Sequence, residues 1–322
     1  MNTRIAPVVL LGYRRPEHTQ RVFDAIRAAK PRDLFLIMDG PKPGDSIDEE
    51  LVQQTRAVVE EVDWKCSVRR VFASENLGLK ARVTSGIDAV FQEVESAIIL
   101  EDDCQPSTSF FPFASELLDR FAHDERVGIV SGTQRLRGQW LSSASYEFSR
   151  DVRIWGWATW GRAWRTFRES GDLDVVWTPE EARRLGEHFA PGPRRKSMVS
   201  MMEKSASLDS WALPFAVHCV QRGYLNPVPA VNLIENIGLG EGSTHTALES
   251  WVAQTPSESL SFPLVHPKHV EYGGILDERE SSLDAKEFLT YPLRHPVDVV
   301  RRLWRFGLSL LRSRLTKAGA VD

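Results

Sequence analysis

The apolar segment Ala97-Ile98-Ile99-Leu100 runs straight into three consecutive acids, Glu101-Asp102-Asp103. A bounded apolar run of this kind predicts a buried parallel strand with the acids at its carboxyl end. Adjacent carboxylates repel one another. A hard cation together with a polyphosphate would relieve that repulsion, because carboxylate and phosphate oxygens are the ligands Mg²⁺ and Mn²⁺ take. The plain alternative is a solvated strand-to-helix loop in which Asp103 caps a helix near Phe110–Phe121. Asp39 ends a second apolar run, Leu34–Met38. Arg14 and Arg15 follow a third, Ile5–Leu11, where a guanidinium could meet an anion; solubility alone would also account for them.

Three further segments carry chemistry-bearing residues. Gly78, in Ser74–Lys80, suits a backbone that turns tightly or approaches a ligand. Asp209 precedes Trp211 at the head of an amphipathic helix; it is a helix N-cap by type and position, and equally an acid beside a pocket. The glycine-rich stretch Asn236–His245 closes on His245, and a lone histidine is as a rule structural rather than a ligand.

The elements that would position these residues follow from hydrophobic periodicity. Strands are predicted over Ile5–Leu11, Leu34–Met38, Ser67–Phe72 (near an edge) and Ala97–Leu100. Between them lie helical patterns: 17–29 with Val22, Phe23 and Ile26 on one face, about 49–62, and a stripe from Leu79 to Phe91. Residues 42–49 read as a polar surface loop. Four strand-helix alternations predict an α/β fold with a mostly parallel sheet and crossover helices. Further on, Val127–Ser131 reads as another strand. Trp155, Trp157, Trp160 and Trp164 cluster within residues 150–164. Exposed indoles there would make a sugar platform; a dense aromatic core is the plainer reading and accounts for most of them.

Length and composition set the remaining bounds. With 322 residues, 42% of them hydrophobic and 26% charged, the chain is ordinary globular material. A net charge of -4 gives no sign of a nucleic-acid partner. Three widely spaced cysteines, Cys66, Cys104 and Cys219, suggest neither a disulfide framework nor a zinc site and fit a reducing, cytoplasmic setting. No signal peptide and no membrane span is read. We divide the chain into a main domain (1–250), an irregular extension punctuated by prolines (251–295) and a tail (296–322). Within that tail, Val297–Leu315 forms a basic amphipathic helix by pattern, suited to peripheral contact with the inner face of a membrane or to packing on protein.

Taken in order, these segments resemble the nucleotide-sugar-dependent glycosyltransferases of the GT-A fold, and most of all the N-acetylglucosaminyltransferase I group and related bacterial sugar transferases. The matching residues are Pro7–Leu10 with Arg15-Pro16, Ile37–Gly40, Ile98–Asp103 with Pro106-Ser107 and Phe110-Phe111, Trp155–Ala158 and Leu208–Trp211. The resemblance spans about 7–245 and implies a GT-A-type, Rossmann-like sheet. It implies that Asp103 holds Mn²⁺ or Mg²⁺, that Glu101 and Asp102 contact the ribose or donor sugar, and that Asp39 bonds the base or ribose. It puts Arg14 or Arg15 near the base or diphosphate, and Asn76, Gly78 and Lys80 beside the donor. Asp209 becomes the catalytic base, and His245 a late metal ligand that some members of the fold have. In the N-acetylglucosaminyltransferase I group two acids precede the tryptophan of the base motif; here Asp209 stands alone. The implied reaction moves a sugar from a nucleoside-diphosphate sugar, UDP-linked by preference, to a glycan or lipid-linked acceptor, with inversion. Two rival readings remain: a nucleotidyltransferase that makes the sugar nucleotide, and a non-catalytic, membrane-associated scaffold of the same fold.

Overall fold

The computed structural model describes residues 4–238 and 255–294. His245, the predicted surface helix Val297–Leu315 and the 296–322 tail therefore lie outside the described residues. In chain order the first half runs β1 (Val8–Gly12), α1 (Pro16–Ala29), β2 (Asp33–Met38), α2 (Ser46–Glu60), β3 (Ser67–Phe72), α3 (Leu79–Glu93), β4 (Ser96–Glu101), β5 (Cys104–Pro106) and α4 (Phe110–Arg120). It continues β6 (Ile129–Ser131), β7 (Tyr146–Ser149), β8 (Trp157–Trp160), α5 (Gly161–Ser170), α6 (Pro179–Gly186), α7 (Pro193–Glu203), α8 (Ala212–Gln221), β9 (Asn226–Pro229), β10 (Ile234–Asn236) and α9 (Ile275–Arg294).

The central sheet has strand order β3-β2-β1-β4-β8-β6. Strands β3, β2, β1 and β4 are parallel, and β8 runs antiparallel to both β4 and β6. The fold is thus mixed α/β with a mostly parallel sheet flanked by helices. Strands β1, β2 and β4 read as continuous apolar runs because both of their faces are covered. On one face Val9, Leu11, Ile37 and Ile99 pack under residues of α3, α5 and α8; on the other, Val8, Leu10, Leu36, Ile98 and Leu100 pack under α1 and α4. β3 takes the edge, as its polar pattern predicts.

One of the two readings of the tryptophan segment holds here, and one expectation for the extension changes. The tryptophan segment supplies β8, an inner strand of the sheet, and Trp157, Trp160 and Trp164 are all buried. Trp157 stacks on Trp211 with centroids 5.8 Å apart and planes at 24°, so these rings form core rather than a sugar platform. Trp155 alone of the four is half-buried. The changed expectation concerns the extension. Residues 255–274 carry no regular element, as their prolines indicate, but the next twenty residues form α9. Charge holds this helix down. Buried Arg153 pairs with Glu280 and lies 3.7 Å from Asp277, while Arg135 lies 3.5 Å from Asp284. Asp151, held well below the usual carboxylate range against burial by Arg194, Arg153 and Arg135, completes the network. Its basic partners come from residues distant in sequence, so local periodicity carries no trace of it. No helix among the described residues is long and apolar enough to cross a membrane.

Candidate active site

The carboxyl ends of β1, β2 and β4 lie side by side, so the turns that follow them converge. This is where open α/β sheets bind ligands. Glu101 stands opposite Leu11 in the β1–β4 register. Beyond it, Asp102 is buried and accepts the Tyr13 backbone N–H at 3.3 Å. Arg15, from the β1 turn, donates to Asp103 Oδ2 at 2.9 Å and lies 3.8 Å from Asp102 Oδ1. One guanidinium thus bridges two adjacent acids. It does not neutralise both. Burial, reinforced by the Asp103 charge and offset only in part by Arg15 and the Tyr13 N–H, pushes the Asp102 carboxyl up to about 7.

Asp103 is not a helix cap. Strand β5 follows it directly and pairs with β10, and α4 starts only after Ser109. The β10 exit is drawn over the acid: Ile237 N donates to the Asp103 carbonyl at 2.8 Å, and His18 Nε2 lies 3.1 Å from the Ile237 carbonyl. A Cβ built on Gly238 would stand 2.3 Å from Asp103 Oδ2, so a larger residue here would have to displace Asp103 or the β10 exit. Cys104, whose thiol burial holds far above its usual range, donates to Asp103 Oδ1 at 3.5 Å.

Among the described residues no group of three or more His, Cys, Asp or Glu side chains gathers to hold a metal. The acids nonetheless fit a hard divalent cation of the nucleotide type. Such ions are bound through one or two carboxylates, with substrate phosphates supplying further oxygens. Asp102 and Asp103 are a carboxylate pair with more negative charge than Arg15 offsets. Asp103, with its side chain 19% exposed, is the oxygen donor a cation could reach.

At the end of β2, Asp39 is buried and occupied by the chain itself. Its Oδ1 accepts the N–H groups of Gly40 at 2.9 Å and Leu77 at 3.0 Å, and its Oδ2 accepts Asn76 Nδ2 at 3.0 Å. Asp39 and Asn76 therefore fasten the loop after β3 to the end of β2. That fastening sets Gly78, at φ 79°, as the entry to α3. Across from it stands Asp209, whose Oδ2 would lie 3.5 Å from a Cβ on Gly78. Asp209 is exposed and does not cap α8; that helix starts at Ala212, and Ser210 Oγ accepts the Leu213 N–H at 3.3 Å instead.

Two residues expected near the donor have acid partners in the fold. Lys80 pairs with Asp174 at 2.5 Å, and Arg14 pairs with Asp48 at 2.7 Å. Asp48 escaped the sequence reading because residues 42–49 looked like a surface loop. In fact α2 begins at Ser46, and Asp48 is fully buried in its first turn. Its Oδ2 accepts the Tyr13 hydroxyl at 2.5 Å and the Lys42 N–H at 2.8 Å. Burial opposes the Asp48 charge, but the bonds from Tyr13, Lys42 and Arg14 outweigh it and hold the carboxyl below its usual value. Burial and the bond to Asp48 push the Tyr13 phenol above the usual range.

No family model and no curated protein matches this sequence. Among solved structures, the chain is similar to a 4-diphosphocytidyl-2C-methyl-D-erythritol synthase from Anaerococcus prevotii, over 64% of this chain and 86% of that one, with 9% identity and a TM-score of 0.34. It is also similar to HddC from Yersinia pseudotuberculosis, over 49% of this chain and 78% of that one, with 10% identity and a TM-score of 0.30.

Proposed function

We propose that the carboxyl edge of the sheet binds a nucleoside-diphosphate sugar and that the protein transfers the sugar to an acceptor hydroxyl, as a glycosyltransferase. The observation that carries this reading is the Asp102–Asp103 pair bridged by Arg15, on the edge where Asp209 meets Gly78. Arg15 is on hand to exchange a carboxylate oxygen for a phosphate oxygen. Asp103 would hold Mn²⁺ or Mg²⁺, an ion that when bound offsets the charge of a departing diphosphate as a Lewis acid. Asp209, exposed and not engaged in capping, would take the proton of the acceptor hydroxyl, which is too poor a nucleophile without a base. One base and direct displacement give inversion, by analogy with the carboxylate geometries of glycoside hydrolysis. The acceptor in this reading is a glycan or lipid-linked sugar.

A second reading is a nucleotidyltransferase that joins a nucleoside triphosphate to a sugar phosphate. The two guanidinium groups of the β1 turn favour it, since such a loop must hold a triphosphate. Against it, the turn Gly12–Pro16 holds a single glycine, where a loop cradling a triphosphate calls for several. Product analysis separates the two. Incubation with UDP-, GDP-, CDP- and dTDP-sugars and Mn²⁺ should release nucleoside diphosphate, and Asp103→Ala should abolish the release. Pyrophosphate release from a nucleoside triphosphate and a sugar phosphate would instead establish the second reading. Neither product would leave the non-catalytic scaffold.

A further inference from the structure

An acid in the first turn of a helix ordinarily faces water and favours the positive end of the helix dipole. Asp48 sits in that position on α2, yet its side chain is completely buried. It gathers contacts from two other elements. From the β1 turn come Arg14 Nη1, at 2.7 Å from Oδ1, and the Tyr13 hydroxyl, at 2.5 Å from Oδ2. From the loop after β2 comes the Lys42 N–H, at 2.8 Å from Oδ2. Its own N–H is taken by Asp45 Oδ1 at 3.0 Å, which orients the helix start. The Arg14 guanidinium also lies 5.5 Å from the centroid of the Tyr13 ring.

We propose that Asp48 is a positioning residue for anion binding at the carboxyl edge: it fixes Arg14 and Tyr13, so that a nucleotide meets a preset guanidinium fork rather than a wandering charge. This rests on the nucleotide-binding reading above. The physical reason is entropic. Arg14 has its side chain 42% exposed, and an exposed arginine must lose rotamer freedom each time it grips a ligand. A bond to a buried carboxylate removes that freedom in advance. Arg14 stands one residue before Arg15, whose guanidinium reaches Asp103 and Asp102. Tyr13 carries the order across directly, because its N–H is bonded to Asp102 while its hydroxyl is bonded to Asp48.

Titration calorimetry of the whole chain with Mn²⁺ and UDP, CDP, GDP or dTDP tests this. Wild type should bind at least one. If it binds none, the nucleotide-binding reading falls and this inference with it. For the best ligand, Asp48→Asn should weaken binding about tenfold, the scale of one charge-assisted contact. Arg14→Ala should weaken it by a similar factor. In the Arg14→Ala background, Asp48→Asn should add less than about twofold, because the two act as one unit. Arg14→Lys keeps the charge and loses the fork, and should also weaken binding about tenfold. That variant changes a partly exposed side chain, so it folds even if the Asn variant does not. Wild-type affinity in Arg14→Lys, or independent and multiplying losses from Asp48→Asn and Arg14→Ala, would overturn the assignment while leaving the nucleotide-binding reading intact.

Discussion

Replacing Asp102 by Asn should stabilise the metal-free protein, by an amount that grows with pH. The Asp102 side chain is 11% exposed, and burial, with the Asp103 charge second, pushes its carboxyl from 3.8 up to about 7. Between those values the folded chain keeps a proton that the unfolded chain has released. Stability therefore falls as pH rises through the window and levels off above it. Each pH unit well inside the window is worth about 1.36 kcal/mol and the slope halves near 7, so between pH 5 and 7 the wild type loses about 2.3 kcal/mol through this one group. Asn keeps the shape and does not titrate. Its amide oxygen can still accept the Tyr13 N–H, and the pull of Arg15 on the charged form is already contained in the shift to about 7. The variant should thus lie within about 1 kcal/mol of wild type at pH 5 and lead by about 2 kcal/mol at pH 8. Urea unfolding in EDTA, followed by tryptophan fluorescence at pH 5, 6, 7 and 8, measures the difference. A difference independent of pH, or one that turns in favour of wild type toward pH 8, would refute the burial reasoning.

Asp209→Asn should leave donor binding within about twofold and lower transfer by about a hundredfold or more, the scale of a lost general base; calorimetry and initial rates check the two halves, and wild-type transfer would remove Asp209 from the role. Glu280→Ala takes one acid from buried Arg153 and leaves it Asp277 at 3.7 Å, and should cost about 1–3 kcal/mol; an unchanged melting temperature would mean that α9 does not dock through this pair in solution. Gly238→Ala puts a methyl group against Asp103 and should cost about 1–3 kcal/mol locally. It should appear as weaker Mn²⁺-dependent nucleotide binding, and equal affinity would show that the β10 exit is free to move aside.

The strand-helix alternation from β1 to β4 was legible because each buried strand is one apolar run and each crossover helix one stripe. The acids at the end of β4 and Asp39 at the end of β2 were legible as addresses for the same reason. Asp39 shows the limit. The resemblance implied a ligand contact for it; in the fold its oxygens hold Gly40, Asn76 and Leu77. Asp209 was read both as a cap and as an acid beside a pocket; it does not cap α8, and Ser210 Oγ accepts the Leu213 N–H.

The sequence by itself determined the order of elements, the sheet class and the acids that stand at its carboxyl edge. These follow from periodicity and from residue type, which are local properties. Only the tertiary structure decided which charge meets which. Arg15 reaches Asp103 across 88 positions, Arg14 turns to a buried Asp48, and Arg153 holds a helix 127 residues away. Ion pairs depend on distance through space, and no local pattern records it. The same holds for β8, whose tryptophans became core because β4 and β6 lie on either side of it.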